Sequence, residues 1–274
     1  MSDGKEVVKK DAKSTELAAY DYGEYAGKNA GFENTTSDDF SVPFLDILQG
    51  QSPEVESLPS AKPGMFHNTV TDDLWDGKEG VSVILVGTSH EFVEWTPRSS
   101  GGGIAGRHAV DSPIIEEARK TAESFNDLKN GNNDLVETFY AYLIINTPDG
   151  PVPAVLANSS TRIKPYKAMM TKANMIMIPT PDGTRKIKPP LFAHKFRLTT
   201  EKRKNNDGEW HTYVVAFDSE DKSAAGARLN PQDELFQAAA SFHEVIKAGA
   251  FQMQESGESK SRQSSEAGGD DAPF

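Results

Sequence analysis

The 274-residue chain contains no cysteine. Disulfides, thiolate-ligated zinc sites and cysteine nucleophiles are therefore excluded. The sequence also lacks an apolar run long enough to cross a bilayer, and it lacks the basic and apolar start of a signal peptide. We expect a cytoplasmic protein with no membrane partner.

Motifs that indicate catalysis are scarce. The six histidines show neither His-x-x-x-His nor His-Glu-x-x-His spacing, and there is no Gly-x-Ser-x-Gly elbow. The glycine-rich stretch 101–106 lacks the Gly-Lys-Ser/Thr ending of a phosphate-binding P-loop, so we interpret it as a hairpin or lid loop. The sequence predicts a protein that is not an enzyme and that needs no cofactor or metal.

Charge is distributed unevenly along the chain. The net charge is −12. Residues 1–60 hold five lysines against twelve carboxylates, a net −7, whereas residues 160–204 hold twelve lysines and arginines against two carboxylates, a net +10. A local basic field binds phosphate whatever the total charge is. An ordinary solvated charged surface is the alternative interpretation.

Composition divides the chain into three segments. Residues 1–40 are polar and acidic and predict a flexible arm. Residues 41–250 carry the apolar patterns of a folded core. Residues 251–274 have no apolar periodicity and bury too little surface to offset the entropy of ordering, so they predict a disordered acidic tail.

The core reads as mainly β structure. Predicted strands cover Met65–Thr71, Val81–Gly87, Glu91–Pro97, Leu135–Ile145, Pro151–Ala157, Leu191–Thr200 and Glu209–Asp218. The last six form three hairpins, the first of which turns at Thr88-Ser89-His90. Predicted helices cover Pro113–Leu128, Pro165–Ala173 and Pro231–Ala248. This order favours an OB-like antiparallel barrel with inserted helices and a closing C-terminal helix. A β-sandwich is the alternative.

The last five residues read Asp270-Asp271-Ala272-Pro273-Phe274. Two carboxylates beside an aromatic ring form a compact ligand for a pocket with an apolar base and a basic rim. This tail resembles that of the single-stranded DNA-binding proteins of bacteria and their phages, which ends in Asp-Asp-x-Pro-Phe. The resemblance implies an OB-like DNA-binding core. It also implies that Asp270, Asp271, Pro273 and Phe274 recruit a polymerase, a helicase or primase, or a recombinase.

Binding to single-stranded DNA without sequence preference needs aromatic faces interleaved with cations. In the third hairpin, strand alternation places Lys195 and Arg197 on one face, and we expect Trp210 beside them. A position at the rim of the core is the alternative for Trp210. In the second hairpin, Tyr140 and Tyr142 share a face and are the better stacking candidates. The candidate DNA-binding residues are Trp95, Arg98, Arg107, Tyr140, Tyr142, Arg162, Lys164, Tyr166, Lys167, Lys172, Lys195, Arg197, Lys202, Arg203, Lys204 and Trp210.

These patterns together predict a phage single-stranded DNA-binding protein of the host cytoplasm. It would coat and protect DNA during replication, recombination and repair, and recruit enzymes through its tail. A strand-annealing recombination protein is one alternative. A phage structural or scaffold protein is another, although such a protein would not need a basic, aromatic-rich hairpin. A homo-oligomer is compatible with the sequence, which does not set the number of subunits.

Overall fold

The computed structural model describes residues 31, 33–35, 41, 43–124, 127–206 and 208–249. The chain divides into two units, Met1–Asp39 and Phe40–Phe274. In the first unit, the Gly31 N–H donates to Glu33 Oε2 at 3.0 Å. The predicted tail 251–274, and the predicted arm except for residues 31 and 33–35, lie outside the described residues.

The described part of the second unit contains short and long strands and four α-helices. The strands are β1 Leu45–Ile47, β2 Phe66–Asn68, β3 Leu74–Trp75, β4 Val81–Trp95, β5 Ile104–Ala109, β6 Lys129–Asn130, β7 Asn133–Thr147, β8 Gly150–Ser159, β9 Ile178–Pro179, β10 Lys186–Ile187, β11 Lys195–Lys204 and β12 Glu209–Phe217. The helices are α1 Glu54–Ser57, α2 Pro113–Thr121, α3 Ile163–Asn174 and α4 Glu234–Lys247. None of the described helices combines the length and the apolar character that a membrane span requires.

The main sheet is antiparallel and is centred on two long strands. Its hydrogen-bonded order is β12-β11-β4-β7-β6, with β5 also paired to β4 and β8 also paired to β7. Strands β4 and β7 are 15 residues long each. The first part of β4 pairs with β11 and its second part with β5, while β7 runs along its other side. The prediction of a mainly β, antiparallel fold with a C-terminal helix is confirmed.

Strand β4 corrects the first predicted hairpin. Residues 88–90 do not turn the chain; they continue the strand and pair with residues 139–141 of β7. A polar triplet resembles a turn when only its neighbours are considered, but the long partner strand outweighs this local preference. The register shifts between Leu85 and Gly87, and such a bulge bends a strand and increases its twist.

The other two hairpins are confirmed with shifted bounds. Strand β7 joins β8 through a tight turn, and β11 joins β12 with Lys204 opposite Glu209. Strand β11 begins later than predicted because Leu191–Ala193 form a 3-10 turn after Pro190.

Side-chain hydrogen bonds set two other element ends. Helix α2 starts as predicted, where the Ser112 hydroxyl accepts from the Ile115 N–H, but it ends at Thr121 instead of Leu128. Strand β2 ends at Asn68, because the Asn68 side-chain oxygen accepts from Val70 N–H at 3.0 Å and turns the chain.

Both faces of the β4–β7 pair are buried over most of its length, while residues 87–91 of β4 are half-buried or exposed. The inner face packs against α3 through Tyr166, Met169 and Ala173, and it includes Val83, Leu85, Ala141, Leu143, Phe196, Leu198 and Tyr213. The outer face packs against α4 through Ala239 and Phe242, and it includes Ile84, Val86, Val93, Tyr140, Tyr142 and Ile144. A smaller cluster around Phe92 lies beneath α2.

Side chains link the two ends of the main sheet. Within the described residues no backbone ladder joins β12 to β8. The Tyr213 hydroxyl of β12 donates to Asn158 Oδ1 of β8 at 2.6 Å. The Gln49 amide bonds both the N–H and the carbonyl oxygen of His211 in β12, and Phe44 forms a parallel bridge with Val155 of β8. The segment around β1 therefore connects the two edges without extending the ladder.

The buried Tyr213–Asn158 bond provides a test of this connection. Replacing Tyr213 by Phe leaves the Asn158 oxygen buried without its donor, and we expect a loss of about 1 to 3 kcal/mol in the free energy of unfolding. Denaturant titration measures this loss. Tyr142→Phe is the matched control, because its hydroxyl partner, Ser89 Oγ at 3.0 Å, is partly exposed and takes up water instead. Equal small losses in both variants would contradict the role given to the Tyr213 bond.

Candidate nucleic-acid interface

The pairing of β11 with β12 in the third hairpin places Trp210 far from Lys195 and Arg197. Trp210 pairs with Arg203, whereas Arg197 pairs with Ala216, six residues further along the strand. At about 3.3 Å per residue this is a separation of about 20 Å. The expectation that Trp210 lies beside Lys195 and Arg197 is therefore wrong. Trp210 is half-buried and lies one residue pair from the turn end of the hairpin.

The two tyrosines of β7 are buried. Tyr140 is 4% and Tyr142 6% exposed, because α4 covers the face that they share. The prediction placed them on one face correctly but wrongly expected that face to be open. The Tyr140 hydroxyl also accepts from Arg107 at 2.9 Å, and the same guanidinium pairs with Glu91. Neither tyrosine presents a free ring face in this conformation.

Four further candidates lie around the core. Arg162 is 7% exposed, and its Nη1 lies 3.7 Å from Asp46 Oδ1. Tyr166 is buried against the sheet. Trp95 is half-buried against the outer cluster. Arg98 is exposed in the 3-10 turn at the start of the loop that joins β4 to β5, which the sequence predicted as a hairpin or lid loop.

Most cations of the third hairpin pair with carboxylates of the same hairpin or its flank. Arg197 bonds Asp218 at 2.8 Å, and Arg203 pairs with Glu201. Lys202 pairs with Glu209, which also lies 3.8 Å from Lys204. Lys195 is half-buried where β11 begins. These pairs lower the positive charge that the hairpin offers to a phosphate.

The cations of α3 and of the β9–β10 hairpin differ in this respect. All six are exposed, and none forms an ion pair with a carboxylate of the described ranges; they are Lys164, Lys167, Lys172, Arg185, Lys186 and Lys188. We call these six residues the lysine surface. Residues 163–190 contain one carboxylate, Asp182, so the segment carries a net +5.

The amphipathic pattern of α3 explains why its lysines face outward. Tyr166, Met169 and Ala173 recur at helical spacing and are buried against the inner face of the sheet. Lys164, Lys167 and Lys172 occupy other positions of the helix and are exposed. Packing of the apolar stripe therefore fixes the direction of the cations.

A run of stacked rings adjoins the lysine surface. His90 stacks on Phe139 at 3.9 Å between ring centroids, and Phe139 stacks on Tyr166 at 5.0 Å. Lys167 Nζ lies 5.3 Å from the centroid of Phe139. The His90 side chain is 32% exposed and its Nε2 lies 3.0 Å from Glu137, while Tyr166 is buried. We call His90, Phe139 and Tyr166 the ring ladder; His90 is its exposed end.

Sequence reasoning missed the ring ladder for identifiable reasons. The triplet 88–90 predicts a turn that contains His90, and Phe139 lies on the face of its strand opposite Tyr140 and Tyr142, which the sequence favours for stacking. The continuous β4–β7 pairing places the two residues directly opposite each other. The aromatic and cationic residues that are brought together are thus His90, Phe139, Tyr166 and Lys167. No group of three potential metal ligands converges within the described ranges.

Residues 9–252 match a family described as Pam3 phage gp34-like protein. The chain belongs to this family. No curated protein and no solved structure matches the chain. Membership of this family confirms the prediction that the chain is a phage protein.

A buried carboxylate links four strands of this Pam3 phage gp34-like chain. Glu94 of β4 is 6% exposed and accepts from His108 Nε2 at 2.6 Å, Asn133 Nδ2 at 2.7 Å and Asn130 Nδ2 at 3.1 Å. Burial opposes ionisation, but the hydrogen bonds from Asn133, His108 and Asn130 outweigh it and hold the pKa of Glu94 below its ordinary value of 4.5. The ionised carboxylate therefore stabilises the β4–β5–β6–β7 end of the sheet.

The depressed pKa of Glu94 predicts a dependence of stability on pH. A group whose pKa is lower in the folded than in the unfolded state stabilises the fold above the unfolded value, and this contribution is lost as pH falls through the folded value. We expect the free energy of unfolding to decrease below pH 4.5 and Glu94→Gln to reduce that decrease. Denaturant titrations across this range measure it. The control is Glu117→Gln on α2, whose side chain is 69% exposed; identical pH profiles for parent and Glu94→Gln would contradict the assignment.

Proposed function

We propose that this phage-family protein binds single-stranded DNA without sequence preference, without catalysis and without a cofactor. The observation that carries this proposal is the lysine surface next to the ring ladder. The folded core would coat and protect the strand during phage DNA replication and recombination, in the host cytoplasm. The acidic tail would recruit partner enzymes.

Electrostatics support the phosphate-binding part of the proposal. A cation that already pairs with a carboxylate gains little by moving to a phosphate, because one ion pair replaces another. The cations of the lysine surface have no such partner among the described residues, so each phosphate contact releases a condensed counterion at no cost in protein ion pairs. This favours residues 163–190 over the β11–β12 hairpin as the binding region.

The ring ladder supports a preference for single strands. Bases of a single strand expose their faces, and stacking on a protein ring contributes about 1 to 3 kcal/mol per base. His90 is the exposed end of the ladder, and Lys167 lies beside Phe139. A base stacked on His90 would continue the ladder while the neighbouring phosphate reaches Lys167. Stacking reads the face of a base and not its edge, so sequence preference should be weak.

The two alternatives to this function differ in what they require. A strand-annealing protein would use the same surface, so annealing of complementary strands by the purified protein is the result that would favour it. A structural or scaffold protein needs no cluster of unpaired cations beside stacked rings. We therefore place coating of single strands first.

The tail contributes the recruitment part of the proposal. Asp270, Asp271, Pro273 and Phe274 lie outside the described residues, and their proposed role rests on the resemblance of their sequence to the tails of single-stranded DNA-binding proteins. The partners would be a polymerase, a helicase or primase, or a recombinase.

Charge reversal on α3 tests the location of the DNA site. We expect Lys164→Glu combined with Lys167→Glu to lower affinity for oligothymidine by about tenfold or more at low salt. The slope of log K against log salt should lose about 0.7 for each phosphate contact removed. Fluorescence anisotropy titrations at several salt concentrations measure both quantities.

The matched control for that experiment is Lys202→Glu combined with Lys204→Glu. It makes the same change of charge on exposed lysines, but these lysines lie next to Glu209. We expect its affinity to fall by less than about threefold, because paired surface charges contribute little. A larger loss in this control than in the α3 variant would indicate that DNA binds at the third hairpin and not at α3.

Substitution of Phe274 by Ala tests the recruitment role separately. The change removes an apolar anchor but no charge, so affinity for oligothymidine should stay within about twofold, while capture of partner proteins should fall by about tenfold or more. Affinity purification of tagged parent and variant from infected cells, with identification of the bound replication and recombination enzymes, measures the difference. Identical partner sets would refute the docking role even if DNA binding were established.

A further inference from the structure

A carboxylate lies at the exposed end of the ring ladder. His90 Nε2 lies 3.0 Å from Glu137 Oε1, and because a carboxylate only accepts hydrogen bonds, the histidine is the donor. The Glu137 side chain is 21% exposed. Within the described residues its second oxygen, Oε2, accepts from no donor, and no lysine or arginine pairs with it. Glu137 therefore keeps one accepting oxygen and its negative charge available beside His90.

The strand register places Glu137 beside the base that His90 would stack. His90 pairs with Phe139 in the β4–β7 ladder, and Glu137 lies two residues before Phe139 on the same face of β7. Phe139 covers one face of the His90 ring, which leaves the opposite face for a base. A base stacked there lies about 3.5 to 4 Å from the imidazole plane. The carboxylate, at hydrogen-bond distance from the imidazole edge, then lies at the edge of the base as well.

The second oxygen of Glu137 distinguishes bases by their hydrogen-bond donors. Cytosine, adenine and guanine carry an exocyclic amine, and carboxylates of proteins accept from the cytosine amine. Thymine has a single donor, N3–H, between two carbonyl oxygens, so a carboxylate that approaches this donor also meets a repelling oxygen. A carboxylate beside a stacked base therefore favours a base with an amine.

An unpaired carboxylate at a DNA site acts mainly against the wrong base. Its negative charge repels phosphates, and a base that covers it removes water from Oε2. An amine of the base replaces the lost hydrogen bond, whereas a carbonyl oxygen does not. Selection by Glu137 therefore comes largely from weaker binding of bases that lack an amine.

We propose that Glu137 makes the His90 position selective for bases that carry an exocyclic amine over thymine. The inference rests on the proposed single-stranded DNA binding and adds a base preference at one position of the bound strand. The other bases are not read, and their phosphates contact the lysine surface, so strands of every sequence still bind.

The test compares two strands that differ at one edge of the base. Oligodeoxycytidine has an amine at C4 of each base, whereas oligodeoxyuridine of the same length has a carbonyl oxygen there and a proton on N3. Both lack the methyl group of thymine, so the areas of their bases are matched. Fluorescence anisotropy titrations at neutral pH and low salt measure both affinities.

The test variant is Glu137→Gln, which keeps the shape of the side chain but replaces one oxygen by an amide group that donates to a carbonyl. Its matched control is Glu91→Gln. The Glu91 side chain is 22% exposed, close to the 21% of Glu137. Glu91 is the neighbour of His90 and pairs with Thr138, so it lies on the opposite face of the β4–β7 pair. Both variants remove one negative charge.

We expect the parent protein to bind oligodeoxycytidine about fivefold or more tighter than oligodeoxyuridine. Glu137→Gln should bring the two affinities to within about twofold of each other, because its amide group donates to the uracil oxygen. Glu91→Gln should keep the ratio of the parent, since a charge lost from the opposite face changes the affinity for both strands alike. Should Glu137→Gln not fold by circular dichroism, Glu137→Ala replaces it.

Other results assign the failure to one level of the proposal. A parent that binds neither strand refutes single-stranded DNA binding itself. A parent that binds both strands equally refutes only the selectivity of the His90 position. A Glu137→Gln variant that retains the preference for cytosine refutes the role of Glu137. Loss of the preference in Glu91→Gln as well would overturn that role equally, because the preference would then follow the net charge and not the position of the carboxylate.

Discussion

The antiparallel pairing of β4 with β7 is the constraint on which the rest of the structure depends. Each strand runs for 15 residues, and β11, β5, β8 and β6 all add to this pair. Helix α3 covers one face and α4 the other. Apolar and aromatic side chains on both faces of the pair are consequently used for packing, and such burial excludes water from both sides of the ladder.

This double coverage determines where a binding surface can lie. In a sheet with one open face, alternation would offer every second residue of a strand to a ligand. Here both alternating sets are covered over most of β4 and β7, and the less buried residues of β4 lie in its middle, at 87–91. The ring ladder reaches the surface there through His90, and the lysine surface adjoins it on α3. The proposed interface therefore uses a short gap in the cover of the sheet.

Local sequence signals predicted those features that depend on few residues. The Pro113 start of α2 and the β7–β8 turn both follow from neighbouring residues, and the structure confirms them. The continuous β4 could not be predicted, because residues 88–90 have polar side chains and only their distant partners in β7 keep them extended. The net +10 of residues 160–204 was visible in the sequence. Its division into paired and unpaired cations was not, since pairing depends on register and on strand ends such as Glu209 and Asp218.

The burial of Tyr140 and Tyr142 likewise depends on residues that are distant in the sequence. Alternation placed both on one face, but only the packing of α4 decides whether that face is open. The helix was predicted from its own pattern, without information on which surface it covers. Binding residues are hardest to identify where two faces of a sheet are equally apolar, because sequence alone does not show which one is solvated.

The proposed function depends first on binding of a single strand to the lysine surface of α3 and the β9–β10 hairpin. Equilibrium titration of labelled oligothymidine, beside a duplex of the same length and at low and moderate salt, tests it most directly. We expect tighter binding to the single strand at both salt concentrations, with affinity falling steeply as salt rises. Equal or tighter binding to the duplex at moderate salt, or no binding to either DNA at low salt, would contradict it.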